Sequence, residues 1–226
     1  MDRRQEIASN LAAVRSRIAA ACASAGRDPS SVTLIAVTKT YPVSDVRHLL
    51  SLGVTDFGEN RDQEAAPKAA EVPEGTWHFI GQLQRNKARS VVTYASMVHS
   101  VDSPELAKAL GERRQGTPLE VLIQVSLDDD PQRGGVPPGE LTKVADAVLA
   151  MDSLRLRGLM AVAPLNDDPG VAFARLERYS RMFQLDHPDA TVLSAGMSED
   201  LVEAIACGAT HVRIGSALLG KRPALR

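Results

Sequence analysis

Apolar positions Ile7, Leu11, Val14 and Ile18 recur at three- and four-residue spacing across residues 6–25, and Gly26 ends the run. That spacing predicts an amphipathic opening helix acting as a lid or a flank. Next comes VTLIAVTK, residues 32–39, a β-branched apolar run bounded by Pro29 and Pro42. It is too short for a helix and reads as a buried strand with Lys39 at its carboxyl end. From there the texture repeats as short strand, polar turn and helical pattern. Strands are predicted at 34–39, 56–59, 77–81, 97–101, 119–126, 156–161, 192–195 and 212–215. Helices are predicted at 44–52, 62–70, 85–95, 104–114, 139–151, 170–184 and 198–207, with a short closing turn near Ala217. Alternating strands and helices, with several strands apolar almost throughout, predict a parallel sheet covered by helices. Eight such units favour an α/β fold closed into a single (β/α)8 TIM barrel, with the extra N-terminal helix, over an open doubly wound sheet. The polar stretch DDDPQRGGVPPG, residues 128–139, is expected to be a βα loop.

Composition narrows the classes. Hydrophobic residues at 44% and charged residues at 24% over 226 positions describe an ordinary globular chain, expected to form one domain over residues 1–226. A net charge of −2 provides no long-range field for a polyanion, so nucleic acid is not expected as a partner. No apolar run approaches the roughly 18 residues of a membrane span, and MDRRQEIASN lacks a signal core, so no membrane association and a cytoplasmic location are expected. Cys22 and Cys207 lie in Ala-rich helical sequence without metal-ligand spacing; both are expected to be buried thiols, and no metal is expected.

In such a barrel the chemistry lies at the strand carboxyl ends. Lys39 is there, one of only six lysines against twenty arginines, and it shares a period-two face with Ile35 and Val37. An inward, partly desolvated amine loses its proton readily and can attack an aldehyde to form a Schiff base. The alternative is a rim lysine that snorkels or pairs with a carboxylate. Ser194, Gly196 and Ser198 follow the seventh strand, and Gly215 and Ser216 the eighth, the corner where barrels of this class bind phosphate. Glycines and serines there also serve as caps and turns. Arg213, inside the eighth strand, requires a ligand or a carboxylate if it points inward. Asn60 either contacts a ring substituent or caps the helix that follows it. Gly81, Gln82 and Gln84 end the third strand, and MAVAP, residues 160–164, offers an apolar strand end suited equally to a flat ring or to core packing. His78 reads as a satisfied core or rim histidine, and His48, His99, His187 and His211 have no metal spacing and no assigned role.

The segments AVTKTYP, FGENRDQE, WHFIGQLQRNK, GLMAVAP and LSAGMSEDLVEAIACGATHVRIGSALLG occur in this order with the opening helix before them. Together they resemble the pyridoxal phosphate homeostasis proteins, the YggS- or PROSC-like family, over nearly the whole chain. That family is similar in fold to the N-terminal barrel of alanine racemase and to the other fold-type III pyridoxal phosphate proteins. The resemblance implies pyridoxal 5′-phosphate (PLP) as cofactor, held as a Schiff base on Lys39. It further implies a phosphate site from Ser194, Met197 and Ser198 with Gly215 and Ser216, Arg213 at the phosphate or the ring nitrogen, and Asn60 beside the ring. Ser216 stands where many members are expected to have threonine, which preserves the hydroxyl. Racemases of this fold take a second acid/base from a further domain, for which this chain offers no evident residues. The expected role is therefore a PLP carrier and buffer without catalytic residues, a monomer whose partners are PLP and apo-enzymes. The alternatives are a PLP-dependent amino-acid racemase of fold type III, or an aldolase-type Schiff-base barrel without PLP.

Overall fold

The computed structural model describes residues 2–128 and 134–220. The middle of the 128–139 segment therefore lies outside the described residues. Asp2 and Gln5 form a reciprocal capping box that starts α1, Arg3–Ser24, three residues before the apolar periodicity announces it. The strands are β1 Thr33–Val37, β2 Asp56–Glu59, β3 Thr76–Phe79, β4 Met97–Val101, β5 Leu119–Gln124, β6 Leu154–Met160, β7 Val192–Ser194 and β8 His211–Ile214. The helices between them are α2 Val43–Ser51, α3 Asp62–Glu71, α4 Ala88–Tyr94, α5 Pro104–Gly111, α6 Leu141–Leu149, α7 Pro169–Asp186 and α8 Leu201–Ala206, with α9 Ser216–Leu219 closing the chain.

All strands pair in parallel with their sequence neighbours, and β8 returns to β1 through the Leu34↔Val212 and Ile35↔Arg213 register, so the sheet closes into an eight-stranded barrel as expected. Two apolar layers hold helices to its outside. One joins β3 to β7 with α4 to α7; the other joins α1, α2, α8 and α9 to β1, β2 and β8. Ile7, Leu11, Val14 and Ile18 are all buried in the second layer, so α1 is a flank, not a lid. Arg3 fixes its start by donating to the Asp45 carboxylate and to the Leu219 carbonyl. Met97, Leu122, Met160 and Val192 form a separate apolar cluster among the strands, with Val162 packed on it, so Met160 of the MAVAP segment is core.

Three expectations change. The first strand ends at Val37 and not at Lys39, although the Thr38 N–H still donates to the Gly58 carbonyl. The seventh helix starts at Leu201 and not at Ser198, because 198–200 form a turn whose side chains bond elsewhere. Cys207 is only half-buried, with its thiol directed at the Gly170 carbonyl, whereas Cys22 is buried as expected. Among the described residues no helix is long and apolar enough to cross a membrane, and no cluster of three potential metal ligands exists.

Candidate functional site

The carboxyl ends of the strands define the barrel mouth, and Lys39 leaves β1 there, half-buried in a tight turn. Thr40 has φ +70°, the one non-glycine residue with positive φ among the described residues. Such a conformation persists only where surrounding contacts enforce it. Those contacts come from β2 and α3. Lys68 Nζ donates to the Thr38 carbonyl at 2.7 Å and to Glu59 Oε1 at 2.6 Å. Thr38 Oγ1 donates to the same Glu59 oxygen at 2.6 Å, and the Thr40 N–H donates to Glu64 Oε2 at 2.8 Å. The turn carrying Lys39 is thus gripped on both sides by side chains 20 or more residues away. Burial pushes the Glu59 carboxyl up, against the opposing pull of Lys68.

Three buried oxygens next to this turn in the chain or the sheet, Thr40 Oγ1, Glu59 Oε2 and Asn60 Oδ1, have no hydrogen-bond partner among the described residues. Buried polar atoms rarely stay unpaired, so each calls for an explanation, and a bound ligand is one. Asn60 does not cap the next helix: α3 begins from Arg61 with no side-chain cap, which removes the capping alternative. Its backbone lies so close to Gly81 that a Cβ there would sit 2.3 Å from the Asn60 carbonyl oxygen, so β2 and β3 can end side by side only with glycine. Gln82 and Gln84 line a separate open cleft with Asp102 and Ser103.

On β8, the strand paired with β1, Arg213 is 4% exposed. Its NH1 donates to Ser194 Oγ at 2.7 Å and its NH2 to the Ala161 carbonyl at 2.9 Å. Both acceptors are neutral. No carboxylate ion pair reaches this guanidinium among the described residues, and burial pushes its pKa down to about 10, opposed only by the more distant Asp200 charge. A guanidinium carries five N–H donors, and two are taken here. A buried cation with neutral partners and spare donors is expensive to keep without an acceptor or anion beside it.

The loops after β7 and β8 meet next to it. Ser198 Oγ accepts from Ser216 Oγ and from the Ala217 N–H, both at 3.2 Å, which brings Ser198, Gly215 and Ser216 into one corner. Gly215 starts α9 with no side-chain cap. Met197 is 40% exposed at this corner, and its N–H is already taken by Asp200 Oδ1 at 2.6 Å. Gly196 has φ +88°, and a Cβ there would fall 2.6 Å from that of Ala204. Ser194 is fully buried, and its hydroxyl bonds Arg213 on one side and His99 Nδ1 on the other, at 2.9 Å. The mouth therefore combines a half-buried amine, a corner of hydroxyls and backbone, and a desolvated cation. Glu59, Lys68, His99 and Asp200 join it, although the sequence reading gave none of them a role. Alternation on β4, Met97 and His99 against Val98, is a signal that could have put His99 on the inner face with Met97; nothing local marks the others.

The arrangement is that of a ligand-binding (β/α)8 barrel of the alanine racemase type, and the family described as "Alanine racemase, N-terminal domain" matches residues 9–223. Within it, the pyridoxal phosphate homeostasis protein of Mycobacterium tuberculosis is 43% identical over 98% of this chain and 95% of its own. That of Escherichia coli is 41% identical over 96% of this chain and 97% of its own. The chain belongs to the family of pyridoxal phosphate homeostasis proteins. PipY of Synechococcus elongatus, solved with PLP bound, superposes with a TM-score of 0.83 at 37% identity, over 95% of this chain and 100% of PipY. Alanine racemase from Corynebacterium glutamicum shares the fold, with a TM-score of 0.69 at 20% identity, and this chain spans 63% of it.

Proposed function

We propose that this barrel holds PLP as a Schiff base on Lys39 and serves intracellular PLP homeostasis as a carrier and buffer, not as an enzyme. The observation that carries the reading is the desolvated, carboxylate-free Arg213 on β8, the strand paired with the one that leads into the Lys39 turn, beside the hydroxyl corner. The donor set suits PLP: an amine for the aldehyde, N–H and O–H groups for the phosphate, and spare donors of Arg213 for the phosphate or the ring nitrogen. When bound, PLP supplies an aldehyde that condenses reversibly with an amine, releasing water. Ser198, Gly215 and Ser216 would hold the phosphate through hydroxyls and backbone N–H groups, with the Met197 side chain over the same corner. Asn60, its side-chain oxygen unpaired, would meet the ring edge. Ser194 would act through Arg213, since its hydroxyl is already engaged on both sides.

The carrier role draws support from the two curated relatives of matching length described above, both named for homeostasis. On the same reading the unit is one PLP-binding domain, works as a monomer in the cytoplasm, and has apo-enzymes that require PLP as its partners. The test is borohydride reduction of protein incubated with PLP, followed by peptide mass mapping. A single pyridoxyl adduct on Lys39, absent in Lys39→Ala, is expected. No adduct, or one on another lysine, would overturn the reading. Racemisation of any amino acid by the PLP-loaded protein would favour the enzyme alternative.

A further inference from the structure

A line of polar side chains crosses the barrel, joining its amino-terminal end to Arg213, and neither PLP attachment nor the phosphate corner uses it. Asp56 Oδ1 lies 3.0 Å from His78 Nε2; His78 Nδ1 lies 3.0 Å from His99 Nε2; His99 Nδ1 lies 2.9 Å from Ser194 Oγ, which accepts from Arg213. Its members come from β2, β3, β4, β7 and β8, and His78, His99, Ser194 and Arg213 are all buried. The His78 and His99 rings meet edge to face with centroids 5.2 Å apart, and His211 stands 6.4 Å from each.

The proton order follows by elimination. Arginine only donates, so the Ser194 oxygen accepts from it, and the hydroxyl proton is available to His99 Nδ1. His99, wholly buried and held neutral by desolvation, then carries its single proton on Nε2 and gives it to His78 Nδ1. His78 in turn gives its Nε2 proton to the Asp56 carboxylate, whose other oxygen accepts from Thr55. The reverse order would require either a second proton on His78, next to the His211 ring, or a proton on Asp56, whose carboxyl is held low, against burial, by the hydrogen bonds from His78 and Thr55.

We propose that Asp56, His78 and His99 are positioning residues for the PLP site: the chain holds the Ser194 proton on His99, so that Ser194 offers Arg213 only a lone pair and fixes the guanidinium in the barrel mouth. This rests on the PLP-binding reading above, and the test separates the two. Long-range ¹H–¹⁵N spectra of histidine-labelled protein without PLP, at pH 7.5, are expected to show His78 and His99 both neutral and both protonated on Nε2. An Nδ1–H tautomer or an imidazolium at either position would overturn the proposal, whatever PLP does.

With PLP, His99→Phe removes the acceptor for Ser194. The dissociation constant is expected to rise about tenfold and the visible band of bound PLP to shift, with borohydride still trapping the adduct on Lys39. His99→Asn, whose Oδ1 can replace Nδ1, is expected to return both values to within threefold of the parent protein. Should His99→Phe not fold, Asp56→Ala at the far end of the chain is expected to give the same spectral shift. Parent-like affinity and spectrum in whichever of these two variants folds would overturn the proposal, whereas loss of the Lys39 adduct in the parent protein would sink the PLP reading alone.

Discussion

Two neighbouring strand ends of the barrel, those of β1 and β8, solve one problem, holding a nitrogen in place, by opposite electrostatics. At the β1 side, charges grip the Lys39 turn: the buried Lys68–Glu59 pair and the Glu64 carboxylate hold Thr38 and Thr40 in a conformation they would not otherwise keep. At the β8 side, Arg213 is held by neutral groups only, a hydroxyl and a carbonyl, with its own charge left uncompensated. The difference teaches where a ligand can contribute energy. The Lys68 cation is already paired, so the β1 turn is fixed without a ligand, and what remains there for a ligand is oxygen only, at Thr40, Asn60 and the second Glu59 oxygen. An unpaired buried cation gains from an incoming acceptor or anion, so the β8 side is completed by binding.

The largest effect should come from breaking the charged side. Lys68→Met leaves Glu59 buried without its cation and is expected to destabilise the fold by about 4 kcal/mol in urea unfolding, with Glu59→Gln in the same chain recovering much of the loss. Full stability in the single variant would remove the contrast between the two sides. Next, Gly81→Ala forces a Cβ onto the Asn60 backbone at 2.3 Å and is expected to cost about 3 kcal/mol with lowered PLP affinity, since the flexible end of no side chain can yield there.

The neutral interior beneath Arg213, towards the amino-terminal end of the barrel, should show itself in acid. Burial, first of all, holds His211 down at about 4 and His99 well below the ordinary histidine value of 6.5, in surroundings that include Asp56, His78, Arg157 and Arg213. Their unfolded forms bind protons that the folded forms refuse, so the stability they contribute is full above about pH 6.5 and is lost as pH falls towards 4. For His211 alone the loss by pH 5 is about 2 kcal/mol, and the urea midpoint of His211→Gln should fall less between pH 7 and pH 5 than that of the parent protein. Equal slopes would contradict the neutral character of this side.

Arg213→Met is expected to leave stability without PLP within about 1 kcal/mol, because the lost hydrogen bonds are offset by no longer burying a charge, while PLP affinity falls about tenfold. A large loss of stability with unchanged affinity would reverse the assignment of the two sides. The smallest effect is expected for Ser198→Ala, a fall in affinity of about fivefold in a spectroscopic PLP titration, from one of several donors at the phosphate corner.

Much of this was legible along the chain because period and punctuation are local. The alternation of Ile35 and Val37, the four-residue beat of α1 and the glycines after β7 and β8 depend on residues a few positions apart, and they placed the strands within two or three residues of their ends. The errors fall where distant groups intervene. The first strand was expected to carry Lys39, yet the ladder ends at the Thr38 N–H, and Lys68, Glu59 and Glu64 hold the turn from Thr38 to Thr40 instead. Ser198 was expected inside a helix, but its hydroxyl meets Ala217 and the turn stays open. Nothing local announced that the Ser194 hydroxyl meets His99 and Arg213, groups on strands distant in sequence.

The sequence by itself determined the eight-unit alternation, the closed barrel it implies, and the lysine, arginine and serines that end up at the mouth, because short-range φ/ψ preference and apolar periodicity suffice for that. Only the tertiary structure decided which of those groups are paired and which are left wanting a partner. Pairing and proton order depend on distances between strands such as β4 and β7, 95 residues apart at His99 and Ser194, and barrel closure alone sets those distances.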